Sequence, residues 1–254
     1  MDLGLRGKRA IVTGGTRGIG RKIVELLVAE GCAVGLCARD PAQVDETVAA
    51  LANDASAVIG GAVDVTDDAG LRQWISDTAT SLGGLDILIP NASALVSSAS
   101  VDDWRLGLEV DVLGAVRAVE AAMPFLERSD AASIVGIAST AAINVSGTQV
   151  RAYTGHKAAL ISYMSSLSTV HGSNGVRANT VSPGAIYFAG GVWDVRKRET
   201  PEVYAAAAAR SPFKRLGLPE EVANAVVFLA SPAASFISGT NLIVDGAATT
   251  RIQF

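Results

Sequence analysis

Seven short apolar runs recur along the chain, separated by longer segments with helical spacing. They are RAIVT (9–13), AVGLCA (33–38), ASAVIGGAVDV (55–65), LDILIPNA (85–92), ASIVGIAS (132–139), VRANTVSP (176–183) and NLIVDG (241–246). Their apolar character is continuous, as expected of strands covered on both faces. Between them, IGRKIVELLVAEG (19–31) carries apolar residues at 19, 23, 26, 27 and 29 and stops at Gly31. RDPAQVDETVAAL opens with Asp40 as an N-cap and Pro41 at the first helical position, and AAAAAR (205–210) suits a helix. This alternation predicts an α/β fold: a doubly wound parallel sheet of about seven strands with helices on both faces. No internal repeat, low-complexity tract or linker divides residues 1–254, so one domain is expected. The least regular stretch is 184–218, after the sixth strand. Ligands of open α/β sheets bind outside the carboxyl ends of the strands, which makes this stretch the candidate substrate loop.

Of 254 residues, 49% are hydrophobic and 18% charged, which favours a large core over disorder. Aromatics are only 5%, favouring tight helix-on-sheet packing. A net charge of −4 gives no reason to expect nucleic acid as a partner. The basic run Arg196-Lys197-Arg198 reads as a solvated helix or loop face. No apolar run reaches transmembrane length without a charge, Gly or Pro, so no membrane is expected as a partner. The start, MDLGLRGKRAIVTGG, runs directly into a strand pattern, so a cytoplasmic location is expected. Cys32 and Cys37 read as buried thiols rather than a disulfide framework. His156 and His171 cannot form a metal site by themselves, and no metal is expected.

After the first strand comes Thr13-Gly14-Gly15-Thr16-Arg17-Gly18-Ile19-Gly20, then a helix. Glycines let a pyrophosphate approach the backbone, and a helix N-terminus offers free N–H groups and a positive dipole end. The spacing Gly14-x-x-x-Gly18-x-Gly20 differs from G-x-G-x-x-G, and a ligand-free glycine turn is the competing reading. Further on, YTGHK places Tyr153 and Lys157 four residues apart, on one face of a helix. A free phenol loses its proton only near pH ~10, and a neighbouring ammonium favours the phenolate. Such a pair handles protons only if a reaction centre lies against it; otherwise it is an ordinary surface contact.

TGGTRGIG, PNAS after the fourth strand, Ser139, YTGHK, VSPGAI and the tail RLGLPEEVANAVVFLASPAASFISGTNLIVDGA resemble, in that order, the short-chain dehydrogenase/reductase family. The resemblance spans nearly the whole chain. It implies a Rossmann-type sheet of order 3-2-1-4-5-6-7 and a ketone–alcohol oxidoreductase using NAD or NADP. Tyr153 would be the general acid or base, and Lys157 would also bind the nicotinamide ribose. Ser139 would hold the substrate carbonyl oxygen, with Thr140 as the fallback hydroxyl. Gly14, Thr16, Arg17, Gly18, Ile19 and Gly20 would cradle the cofactor phosphates. Asp64 and Val65 would meet the adenine, Asn91 and Ala92 the ribose side, and Pro183, Gly184 and Ile186 the nicotinamide end. At the end of the second strand, Arg39, with Arg17, fits a 2′-phosphate, while Asp40 is already explained as a cap. NADP(H) is therefore expected, with NAD(H) the alternative.

Three positions depart from the family pattern. Asp111 stands where the family has a catalytic Asn that works largely through its backbone carbonyl, so Asp111→Asn is expected to retain activity. Ser93 replaces the last Gly of NNAG, and Phe188 replaces a Thr that contacts the cofactor. Ile186, Tyr187, Phe188, Val192 and Trp193 either line an apolar pocket for a small-molecule substrate, pack the loop down or meet another subunit. A ring or aryl ketone, a steroid or a β-ketoacyl thioester would fit. An acidic acyl carrier would want basic residues near the cleft; Arg128 is one candidate, but HGSNG (171–175) offers none. A non-catalytic cofactor-binding sensor is the rival of another class. The resemblance also implies a homotetramer or homodimer built through the fourth and fifth helices and the last strand.

Overall fold

A computed structural model describes residues 2–52, 56–144 and 150–250. The strands are β1 (Arg9–Thr13), β2 (Ala33–Ala38), β3 (Val58–Ala62), β4 (Ile87–Ile89), β5 (Ser133–Ile137), β6 (Arg177–Pro183) and β7 (Asn241–Val244). All seven pair in parallel, in the order β3-β2-β1-β4-β5-β6-β7. Every expected strand is present. The third and fourth are shorter than the apolar runs around them, and Ala55 of the expected third strand lies outside the described residues.

Period-2 side chains split the core into two layers. Ala10 and Val12 of β1, Ile87 and Ile89 of β4, and Val135 and Ile137 of β5 face one layer. There they meet α1 (Gly18–Ala29), α9 (Pro219–Ala230) and Val44 of α2 (Pro41–Leu51). Ile11, Leu88 and Ile134 face the other, against α3 (Asp68–Ser81), α5 (Gly114–Leu126) and α6 (Ala152–Val170). The continuous apolar runs are thus explained, since both faces of the sheet are covered.

α2 starts as read: Asp40 accepts from the N–H groups of Ala42 (3.0 Å) and Gln43 (3.3 Å), with Pro41 next. Both cysteines are free and buried, and burial pushes each thiol up to about 12. No helix among the described residues is long and apolar enough to cross a membrane.

The stretch 184–218 is more regular than expected. It holds α7 (Val192–Glu199) and α8 (Pro201–Arg210). Its basic run is not simply solvated: Arg196 lies over the Trp193 ring at 4.7 Å, and Lys197 over Tyr187 and Tyr204 at 5.1 and 5.6 Å. Arg128 follows α5, where the chain returns to the amino end of β5, and shares a groove with Arg9 and Gly84. That is the edge of the sheet opposite the glycine loop, so Arg128 is not beside the cleft.

Candidate active site

The glycine loop is held by backbone and side-chain bonds from its neighbours. Gly14 and Gly15 donate their N–H groups to the Cys37 carbonyl at 2.8 and 3.1 Å. The Asn91 side-chain amide donates to the carbonyls of Thr13 (3.0 Å) and Gly14 (2.9 Å), and the Thr13 hydroxyl accepts from the N–H groups of Asn91 and Ala92. Asn91, expected to run beside the ribose, therefore also stitches the end of β4 to the loop. Two glycines are obligatory. Gly18 has φ +54°, and a Cβ on Gly20 would overlap the Gly14 carbonyl oxygen. No side chain among the described residues caps the α1 N-terminus, so its first N–H groups face a glycine-walled cradle. That arrangement fits a dinucleotide pyrophosphate.

Arg17 and Arg39 are exposed at this end, and among the described residues neither makes an ion pair. The Asp40 carboxylate is occupied by its cap bonds and by the Gln43 side chain at 2.8 Å. The Thr16 hydroxyl reaches Gln43 Oε1 at 3.4 Å. Asp64 accepts from the Thr66 N–H and hydroxyl, both at 2.9 Å, and Val65 is buried against Gly114. Across the cleft, Gly184 N–H donates to the Val244 carbonyl after Pro183 ends β6, and Ile186 bridges to Gly217. The Phe188 ring rests against both Gly18 and Gly191, tying the candidate substrate loop to the glycine loop.

The residues expected to handle the proton converge around the first two turns of α6. Lys157 is almost wholly buried, and its Nζ donates to the carbonyl of Ile137, the last residue of β5, at 2.9 Å. Nζ also lies 5.6 Å from the centre of the Tyr153 ring. Ser139 lies two residues beyond β5 and caps a short 3₁₀ turn (Thr140–Ala142) that packs against α6, its Oγ accepting from Ala141 N–H at 3.2 Å. α4 (Val101–Gly107) passes into a π-helical turn, Leu108–Leu113, before α5. Such turns concentrate at functional sites, and this one carries Asp111, whose Oδ1 contacts Lys157 Nζ at 3.0 Å. Ser93 Oγ donates to the same carboxylate oxygen at 2.5 Å, and Ala94 N–H to the other at 2.8 Å.

The site residues expected from sequence thus divide into a glycine cradle and a Tyr–Lys–Asp cluster at the same carboxyl edge of the sheet. Sequence reasoning missed the side-chain contacts of Asp111, its bond to Ser93 among them, although both positions stood out as departures. It also left Gly155 and His156 of YTGHK unexplained. A Cβ on Gly155 would run into the Trp104 ring. His156 stacks edge-on to that ring at 4.9 Å and meets the Trp104 carbonyl through Nε2 at 3.0 Å. These two residues let α4 close onto α6.

Comparison with known proteins agrees with this arrangement. The family model described as enoyl-(acyl carrier protein) reductase matches residues 14–249. Isoepoxydon dehydrogenase patN of Penicillium expansum is 38% identical, over 100% of this chain and 99% of its own. Cis-4-hydroxycyclohexanecarboxylate dehydrogenase of Sinomonas cyclohexanicum is 32% identical, over 94% and 96%. The crystal structure of L-sorbose reductase from Gluconobacter frateurii, complexed with NADPH and L-sorbose, superposes with a TM-score of 0.91 at 29% identity, over 99% of this chain and 100% of that one. The chain belongs to the short-chain dehydrogenase/reductase family and is an NAD(P)-dependent oxidoreductase acting on CH–OH groups.

Proposed function

We propose that the protein interconverts a ketone and a secondary alcohol on an apolar, ring-bearing small molecule, using NADP(H). The observation that carries the chemistry is the buried Lys157 ammonium beside the Tyr153 ring on α6. When bound, the nicotinamide supplies or accepts the hydride at the carbinol carbon. Tyr153 gives the proton to the carbonyl oxygen during reduction and takes it back during oxidation. Ser139 donates its hydroxyl hydrogen to the same oxygen; its cap bond uses only an acceptor lone pair. Lys157, fixed by the Ile137 carbonyl, orients the phenol and binds the nicotinamide ribose.

NADP(H) is favoured because Arg17 and Arg39 are exposed and make no ion pair among the described residues, while Asp40 is spent as a cap. The complex of the sorbose reductase with NADPH points the same way. A ring alcohol is favoured because one relative is named for a hydroxycyclohexanecarboxylate. In the substrate loop, Tyr187 bonds Asp194 (3.1 Å) and packs on Tyr204, and Phe188 covers Gly18, so these two rings hold the loop down. Val192 and Trp193 are left to meet the substrate. The acyl-carrier reading loses its basic candidate, since Arg128 is at the opposite edge. A sensor without chemistry would have no need of the buried Lys157 beside Tyr153.

A homotetramer or homodimer is supported by exposed Trp104, Leu106 and Leu108 on the α4 side and Phe213 and Phe236 near β7. The test is a panel of cyclic ketones and alcohols read by nicotinamide absorbance with both cofactors. Arg39→Ala is expected to raise the KM for NADPH at least tenfold, within the range of a charge-assisted phosphate contact, and to leave NADH use unchanged. Equal use of NADH by the unaltered protein would remove the cofactor assignment.

A further inference from the structure

We propose that Asp111 is a positioning residue whose carboxylate is required, that Ser93 is its matched partner, and that together they hold Lys157 and the 93–95 loop in working register. This rests on the function proposed above for Lys157. Three donors converge on the Asp111 side chain, which is wholly buried. Lys157 Nζ and Ser93 Oγ meet Oδ1 at 3.0 and 2.5 Å, and Ala94 N–H meets Oδ2 at 2.8 Å. Ser93 Oγ in turn accepts from Leu95 N–H at 3.2 Å, which fixes the direction in which its own hydrogen points. Leu95 has φ +52°, a left-handed conformation uncommon for leucine, so the loop is held against a local preference.

An amide cannot serve all three donors. With its oxygen toward Ser93 and Lys157, its NH₂ faces Ala94 N–H, donor against donor. Turned over, it faces an ammonium that has no lone pair. Either way one of the three donors loses its acceptor, the partly buried Ala94 N–H in the first case and the buried ammonium in the second. The carboxylate also supplies the countercharge that a buried ammonium needs. The family pattern has Asn and Gly at these two positions, and this chain has Asp and Ser. The two departures are one change: the added hydroxyl donates to the added acceptor. The expectation that Asp111→Asn is harmless is therefore reversed here.

The test compares D111N, S93A, S93G and the double variant S93G/D111N. Three quantities are read: amide hydrogen exchange at Ala94 and Leu95 in the cofactor-free protein, NADPH affinity by fluorescence, and kcat and KM for an accepted ketone. D111N is expected to speed exchange at Ala94 about tenfold or more, the scale of one lost hydrogen bond. It should also weaken NADPH binding several-fold and lower kcat about tenfold. S93A should move each quantity the same way by less, and it serves alone if D111N does not fold. The double variant should outperform D111N, because a glycine at position 93 frees the loop to turn Ala94 N–H away. Unchanged exchange and NADPH affinity in D111N, or a double variant equal to the product of the singles, overturns the proposal. If the unaltered protein binds NADPH but reduces no ketone, the proposed function fails while the exchange and affinity arms still decide the role of Asp111.

Discussion

Replacing Tyr153 by phenylalanine deletes one oxygen and leaves the ring where it packs near Lys157. Turnover is expected to fall about 10²–10⁴-fold, the usual worth of a positioned general acid, with NADPH affinity little changed. Retained kcat with weakened cofactor binding would make Tyr153 a binding group instead. Ser139 and Thr140 are separated by the same kind of experiment. The Ser139 hydroxyl stands at the junction of β5 and the turn packed on α6, and its hydrogen is free to donate. Ser139→Ala should cut kcat severely, about 10²-fold for a lost oxyanion donor, while Thr140→Ala should not. The opposite pattern moves the role to Thr140.

At the scale of elements, the closure of α4 onto α6 depends on the small residue inside YTGHK. Gly155→Val would drive a side chain into the Trp104 ring, which leaves no room for any Cβ there. A loss of about 1–3 kcal/mol is expected from such overpacking, measured by denaturant unfolding. Stability within error of the unaltered protein would mean α4 is not seated on α6. A second element test concerns the start of α9. There Glu221 accepts from Arg215 at 2.9 Å and from Leu218 N–H at 2.8 Å. Those hydrogen bonds, Arg215 first, hold its carboxyl down to about 2. A depressed carboxylate contributes stability fully above its ordinary value of 4.5, and that contribution is lost as pH falls toward about 2. Glu221→Gln should therefore lower Tm at pH 7, and the difference should shrink below pH ~4. The pair is largely exposed, so the effect is expected below about 1 kcal/mol. A difference that does not vary with pH would show that the charge plays no part.

The sequence made the strands easy to place because both faces of the sheet are covered, which leaves unbroken apolar runs. Of the two helices within 184–218, α8 showed only through AAAAAR (205–210) and α7 not at all. They bury no residue, so no apolar period marks them, and the rings of Trp193, Tyr187 and Tyr204 instead take up Arg196 and Lys197. The glycine cradle and the Tyr153–Lys157 pair were legible because their spacing is local. The Ser93–Asp111 bond was not, because it joins a loop to a π-helical turn 18 residues later. No residue period predicts that contact.

At the scale of the whole molecule, exposed apolar side chains among the described residues stand on two different elements. Leu106 and Leu108 lie on the α4 side, each about half exposed, and Phe236 is fully exposed before β7. Isolated exposed apolar residues need no explanation, but grouped ones mark contact surfaces. One self-complementary patch makes a two-fold dimer; two independent ones make a tetramer with three two-fold axes. Light scattering after size exclusion is expected to give a tetramer. Phe236→Asp and Leu106→Asp should each reduce it to a dimer, and the pair together to a monomer. The two dimers should not be equal in function. The α4 side continues into the π-helical turn that holds Asp111 against Lys157, so its packing backs the site. Leu106→Asp should therefore lower kcat, whereas Phe236→Asp should leave it intact. A monomeric unaltered protein, or equal activity in both variants, would separate assembly from catalysis.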